Sequence, residues 1–218
     1  MIGLVVVTDG RVDYLARAIE AAGEHLTGVD AGRVIVNDAG SYESRGYLAD
    51  RYPDWHVISH PTRLGLAAAV RSAWAYATLE DWRYLFHLEE DFVLDGPVDA
   101  AELAGVLRRC PTLAQLVLKR QAWSPAEMAA GGIVECAPER YREKYLGSAF
   151  VTVHEECFSL NPCVVPRNVF VQGWPDGNEA EQTELMVGQG RRFGFWGRKF
   201  ARPRVTHIGA RRSTGWAL

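Results

Sequence analysis

Apolar runs alternate with amphipathic stretches through the first half of the chain. Ile2–Thr8, IGLVVVT, is almost continuously apolar, the pattern of a strand buried on both faces. Val12, Leu15, Ile19, Ala22 and Leu26 then recur at steps of three and four, which predicts an amphipathic helix. RVIVND from Arg33 predicts a second strand, and YESRGYLADRY a short helix stopped by Pro53. WHVISH predicts a third strand. LGLAAAVRSAWAYATLE predicts a third helix with Leu66, Val70 and Trp74 on one face. YLFHLEE is the fourth strand, and DAAELAGVLRR and LAQLVLK repeat helix and strand once more.

This order implies parallel strands joined by right-handed crossovers. After Arg120 the rhythm changes. QAWSPAEMAAGGIVECAPERYREKYLG is irregular, SAFVTV and FSLNPCVV read as strands, and NEAEQTELMVGQG reads as a helix ending at Gly190. FGFWG and RPRVTHIG read as short strands. The expectation is one α/β domain over 1–218. Its 1–120 half carries the parallel sheet, and a mixed 121–218 half packs on the sheet's open edge.

Ligands of such sheets collect beyond the carboxyl ends of the strands. Thr8 and Asp9 end strand one, and Asn37 and Asp38 end strand two. His60, Thr62 and Arg63 follow strand three, and Glu89, Glu90 and Asp91 end strand four. Polar groups at all four ends favour a crevice for a polar ligand. No G-x-G-x-x-G follows strand one and no G-x-x-x-x-G-K-[ST] occurs, so neither the dinucleotide nor the P-loop pattern applies. Phosphate charge must then be met in another way. A hard divalent cation held by carboxylates suits, because it takes oxygen ligands and bridges phosphate oxygens.

Composition narrows the picture. With 218 residues, 48% of them hydrophobic, the chain can build one substantial core. A formal net charge of -3 supplies no global positive field for nucleic acid. Cys110, Cys136, Cys157 and Cys163 show no C-x-x-C spacing, which favours free thiols in a reducing compartment. IGLVVV is too short for a signal sequence, and no run reaches the roughly 20 apolar residues of a membrane span. A soluble, cytoplasmic protein is expected.

The first hundred or so positions resemble the nucleotide-sugar-binding half of a GT-A glycosyltransferase, most like family 2. The matching pieces are VVVTDGRVDYLARAIEAA, VIVNDAGS in place of a V-D-D-G-S-like run, PTRLGLAAAVRSAWAYA, and FHLEEDFVL in place of D-x-D. FSLNP, EQTELM and VTHIG extend the likeness more loosely. The resemblance implies a GT-A, Rossmann-like fold: a mostly parallel central sheet flanked by helices, with a mixed C-terminal acceptor-side region. It implies a metal-dependent glycosyltransferase that moves a sugar from a nucleoside-diphosphate sugar, UDP favoured, to a hydroxyl acceptor with inversion.

The resemblance also distributes roles. Glu89, Glu90 and Asp91 form the variant D-x-D. Asp91 binds Mn²⁺ or Mg²⁺, and Glu89 faces the ribose or the nucleotide side. Thr8 and Asp9 line the nucleoside, Asp38 accepts from the ring N–H of the base, and Arg63 approaches base or phosphates. His207 completes the metal shell, whereas His87 and His154 read as ordinary histidines. A family aspartate that serves as the base is replaced by Gln182, which cannot take a proton. Glu181 is then the first candidate base, with Glu179 and Glu184 behind it. Arg211 and Arg212 either clamp the diphosphate or form a solvated tail. Trp174, Phe195 and Trp196 are candidate acceptor platforms, with core packing favoured for Phe195. A non-catalytic nucleotide-sugar-binding domain is the competing reading. A pyrophosphorylase is disfavoured because no lysine precedes Lys119.

Overall fold

The structure, a computed structural model, describes residues 1–209. Arg211 and Arg212 lie outside the described residues. The first half runs β1 (Ile2–Thr8), α1 (Val12–His25), β2 (Leu26–Thr27), β3 (Gly32–Asn37), α2 (Tyr42–Arg51), β4 (His56–Ser59), α3 (Leu66–Leu79) and β5 (Tyr84–Glu89). Then follow β6 (Phe92–Leu94), β7 (Val98–Asp99), α4 (Ala100–Arg109) and β8 (Leu113–Val117). The second half adds α5 (Pro125–Ala130), α6 (Ile133–Cys136), β9 (Arg142–Tyr145), β10 (Phe150–His154) and β11 (Cys163–Pro166). It closes with α7 (Arg167–Phe170), α8 (Glu179–Gly188), β12 (Arg192–Trp196) and β13 (Val205–His207).

Nine strands form one sheet in the order β4-β3-β1-β5-β11-β8-β12-β10-β9. β4, β3, β1 and β5 run parallel. β1 is central, and its alternation sends side chains to two cores. Leu4 and Val6 pack with Leu15 and Ala18 of α1, while Val5 and Val7 pack with Val70, Ala73 and Trp74 of α3. Val5, Val6 and Val7 have no exposure, and each contributes about 1.5–3 kcal/mol relative to an exposed side chain. The expected stripe on α1 is shifted: Val12 is exposed, and the buried set is Tyr14, Leu15, Ala18, Ala21 and Ala22.

The second half does not simply add to an edge. β11 inserts antiparallel between β5 and β8, and β12, β10 and β9 extend the sheet beyond β8. Of the stretch expected as a strand from Phe158, only Cys163–Pro166 is extended in the sheet. β13 leaves the sheet and pairs antiparallel with β6, with His207 opposite Phe92. No helix among the described residues is long and apolar enough to cross a membrane, and the four cysteines are free.

Candidate functional site

Parallel register sets the rim. Thr8 stands opposite Asn37, and Val7 opposite Glu89. The ladder continues one step past the strands: the Asp38 amide donates to Thr8 O at 2.8 Å and the Glu90 amide to Val7 O at 2.9 Å. Three strand exits thus deliver Asp9, Asp38 and Glu90 side by side. Asn37 is spent locally, donating to Ser44 Oγ at 2.9 Å and accepting from the Ala39 amide at 3.1 Å.

The acids are deeply covered: Glu90 is 0%, Asp9 2% and Asp91 6% exposed. Gly10, at φ +99°, turns the chain so that Arg11 folds back over them. Arg11 Nε donates to Asp9 Oδ1 at 3.0 Å and to Glu90 Oε1 at 2.6 Å, and Nη2 donates to Asp91 Oδ2 at 3.0 Å. One guanidinium therefore bridges three carboxyl groups, which sequence reading overlooked. Burial, with Asp9 beside it, pushes the Glu90 carboxyl up to about 8, against Arg11 and the Thr8 hydroxyl that donates to it. Burial first, then Asp91, Glu179 and Glu90, pushes Glu89 well above the usual carboxylate range. Burial works to raise Asp91 as well, but the bond from His207 and the charge of Arg11 hold it below its ordinary value.

The β6–β13 pairing brings His207 to Asp91. His207 Nε2 lies 3.3 Å from Asp91 Oδ2, and the Ile208 amide donates to Asp91 O at 2.8 Å. Gln121 clamps the His207 backbone in both directions at 2.8 Å. The ring packs against Trp123 and Phe92, with centroids 4.1 and 4.7 Å away. Trp123 is itself fixed, because its amide donates to Glu127 Oε2 at 2.6 Å and Glu127 takes Arg120 at 3.0 and 3.1 Å.

This corner fits a divalent ion. Asp91 Oδ1 is buried and has no hydrogen-bond partner among the described residues. A Cβ on Gly209 would stand 2.4 Å from Asp91 Oδ2 and 2.8 Å from His207 Nε2, so glycine keeps the space between the two donors open. Carboxylate and imidazole suit Mn²⁺, and Mg²⁺ is commonly held by one or two carboxylates plus phosphates and water. Among the described residues no group of three or more His, Cys, Asp or Glu side chains is placed to hold a metal. Asp91 and His207 would leave the remaining positions to a ligand.

Other expected residues are placed differently. Asp38 has no exposure: Oδ1 accepts from the Leu64 amide at 2.8 Å and meets His60 Nδ1 at 2.7 Å, and Oδ2 accepts from the Gly65 amide at 2.7 Å. His60 Nε2 lies 2.9 Å from Ser72 Oγ in α3. Asp38 therefore ties the loop before α3 to the sheet, and an expected contact with a base meets a carboxylate already in use. Thr8 also has no exposure. Arg63 crosses the rim and donates to Asp9 O at 2.9 Å.

On α8 the three glutamates separate. Gln182 and Met186 face inward. Glu184 is exposed, and Glu181 folds back so that its carboxyl covers Gly177. Glu179 is also an exposed residue, but its carboxyl accepts from the Leu160 amide at 2.5 Å. Burial raises its pKa against that bond and Arg120, and its charge is felt at Glu89. Of the three candidate bases, Glu179 is the one whose charge raises Glu89. Both Gln182 amide atoms are buried without a hydrogen-bond partner among the described residues. Trp174 and Phe195 are 5% and 4% exposed and belong to the core. Trp196 is half-buried under Arg204. The ring exposed beside the site is Trp123, at 40%.

No protein-family model matches the sequence, and no curated protein does. Solved structures do match in shape. GalNAc-T7 with UDP, GalNAc and Mn²⁺ superposes with a TM-score of 0.65 at 15% identity, over 99% of this chain and 45% of that one. S. aureus TarS 1-349 with UDP gives 0.61 at 11%, over 94% and 59%. The mannosyltransferase PcManGT from Pyrobaculum calidifontis, with GDP-Man and Mn²⁺, gives 0.62 at 14%, over 97% and 57%. The chain has the GT-A fold. It spans about half the length of these neighbours. In this GT-A chain two hollows lie away from the acids. One, of about 470 Å³, sits near the amino ends of β5 and β8 beside Arg83, Arg108 and Arg167. The other, of about 220 Å³, lies against β9 and β10.

Proposed function

We propose that the chain is a metal-dependent glycosyltransferase of family 2 character, acting on a nucleoside-diphosphate sugar and a hydroxyl acceptor with inversion. The observation that carries this reading is the Asp91–His207 pair, 3.3 Å apart and opened by Gly209, at the carboxyl ends of a GT-A sheet. Asp91 and His207 would hold Mn²⁺ or Mg²⁺, which when bound would supply positive charge for the diphosphate of the donor and the leaving nucleoside diphosphate. A UDP-sugar is favoured, since two of the three neighbours described were solved with UDP.

The chain's own residues do the rest. Glu89, whose pKa burial and its acidic neighbours raise, faces the ribose and is the candidate partner for its hydroxyls. Asp38 orders the 60–65 loop, and Arg63, which donates from that loop to Asp9 O, would contact the base or the phosphates. Glu179 takes the proton from the acceptor hydroxyl. Its raised pKa brings it nearer the operating pH, where a general base works best.

Thermal stability with UDP, GDP, dTDP and ADP, each with and without Mn²⁺, tests the donor site. A ligand at a hundredfold excess over its Kd adds about 2.7 kcal/mol to the folded state. The expected result is a metal-dependent shift for one nucleotide that vanishes in Asp91→Ala. No shift for any nucleotide with metal present would sink the reading. Gln182, standing where the family carries its base, favours a second reading as a non-catalytic donor-binding domain. The two part on nucleotide release with acceptor present, which the enzyme shows and Glu179→Gln loses.

A further inference from the structure

We propose that Arg11 is a resident cation of the donor site. In the free protein it holds the acids together, and it passes its Nη groups to the donor's diphosphate when a divalent ion takes Asp91. The inference rests on the function proposed above and adds a residue and a binding order to it.

One oxygen serves two partners. Asp91 Oδ2 accepts from Arg11 Nη2 at 3.0 Å and lies 3.3 Å from His207 Nε2. The opening left by Gly209 faces the same oxygen, 2.4 Å from where a Cβ would stand. An ion entering that opening stands against Oδ2 and beside the guanidinium already bound to it. A divalent ion and a guanidinium a few ångströms apart repel, and little water is present to screen them. Arg11 nevertheless has somewhere to go. Its Nε is tied to Asp9 and Glu90, so the stem remains anchored while Nη2 lets go. The side chain is 16% exposed, so the fork can turn without opening the core. What then lies beside it is the diphosphate bound to the ion, and a guanidinium is the side chain best shaped to grip phosphate oxygens in pairs.

Two consequences follow. Metal alone binds weakly, because it has to displace Arg11 from Asp91 and then sits close to its charge. Metal with diphosphate binds tightly, because the released guanidinium gains a new partner. By reciprocity the nucleotide gains as much from the metal as the metal gains from the nucleotide.

Electron paramagnetic resonance of Mn²⁺ reads this directly, since free Mn²⁺ gives a sharp signal that binding broadens. The experiment compares wild type, Arg11→Gln and Arg11→Lys, each with and without UDP. In wild type, UDP should tighten Mn²⁺ binding by about tenfold or more. In Arg11→Gln, Mn²⁺ without UDP should bind about fivefold tighter than in wild type, and the gain from UDP should shrink to about threefold or less. Arg11→Lys keeps the charge but loses the fork, so Mn²⁺ alone should stay near wild type while the gain from UDP falls. It decides the matter should Arg11→Gln not fold. Unchanged or weaker Mn²⁺ binding by Arg11→Gln without UDP overturns the proposal, as does an unchanged gain from UDP in Arg11→Lys. A wild type that takes up no Mn²⁺ even with UDP overturns the donor-site reading and this inference together. One that binds both ligands while the variants behave as wild type overturns only the role of Arg11.

Discussion

Two aspartate–histidine pairs stand at one rim, and they are built to opposite ends. Asp38 meets His60 at 2.7 Å, and the set is closed: two backbone amides and Ser72 take up the remaining positions. Asp91 faces His207 at a looser 3.3 Å, leaves one oxygen without a hydrogen-bond partner among the described residues, and abuts a glycine that keeps space open. Residue type is the same in both, so it does not tell structure from function. The degree of satisfaction does. The closed pair stiffens a loop, and the open, buried one leaves room for the ligand proposed above.

The sharpest way to break this comparison is to remove each aspartate in turn. Asp91→Ala should cost about a thousandfold in sugar transfer, roughly 4 kcal/mol of transition-state stabilisation. Its stability should change by only about 1 kcal/mol, because losing the carboxylate also relieves repulsion among Glu89, Glu90 and Asp91. Urea unfolding and nucleotide release on the same sample give both numbers. Asp38→Ala should invert the pattern. It strands the Leu64 and Gly65 amides and the His60 ring, and should cost about 3 kcal/mol of stability. An Asp38 variant as stable as wild type would erase the distinction between the pairs.

A pH series sharpens the same contrast at about 2 kcal/mol. Glu90 is raised to about 8 in the folded state, so its contribution is complete below the unfolded carboxylate pKa and is lost as pH rises toward 8. His87 and His154 run the other way. Burial lowers both to about 4, so stability rises between pH 4 and their unfolded value of 6.5. Above 6.5 the histidines no longer contribute a slope, and Glu90 acts in the same falling direction as the other raised carboxyls, Glu89 and Glu179. Glu90→Gln should flatten the fall from pH 6.5 to 8 and leave the acid limb in place, as read by thermal midpoints across the series.

Much of the fold was legible because it is local. The apolar run of β1 and the face of α3 follow from side-chain period, and the polar residues at four strand ends follow from parallel order. What was not legible depends on distant pairing. Nothing in CVVP says that it will slip between β5 and β8, and β6 and β13 are three residues each, too short for any pattern to announce that they meet. His207 was singled out through family resemblance, and only that pairing sets it beside Asp91. Arg11 escaped notice for the opposite reason. It lies two residues from Asp9, inside the run that resembles the family, and carries no role there, although a cation beside a buried acid is the available signal. On α8 the helical period turns Gln182 and Met186 inward, which sends Glu181 and Glu184 out. Glu179 escapes that rule because it sits in the first turn, where the Leu160 amide draws its carboxyl inward.

The smallest change tests whether the open pair is open for a reason. Gly209→Ala adds one methyl group where the nearest atoms are Asp91 Oδ2 at 2.4 Å and His207 Nε2 at 2.8 Å. Both are closer than a real Cβ tolerates, so one donor must swing away. The backbone clamp by Gln121 holds His207 in place, and Arg11 holds Asp91, so neither moves without losing a partner. If the space is only a packing gap, the variant should lose some stability and leave Mn²⁺ uptake with UDP untouched. If the space receives the ion, Mn²⁺ should bind about tenfold more weakly, roughly 1.4 kcal/mol. Nucleotide binding without metal should then be unchanged, because no atom of the 60–65 loop is touched. The methyl group would in that case have closed the second pair as fully as the first.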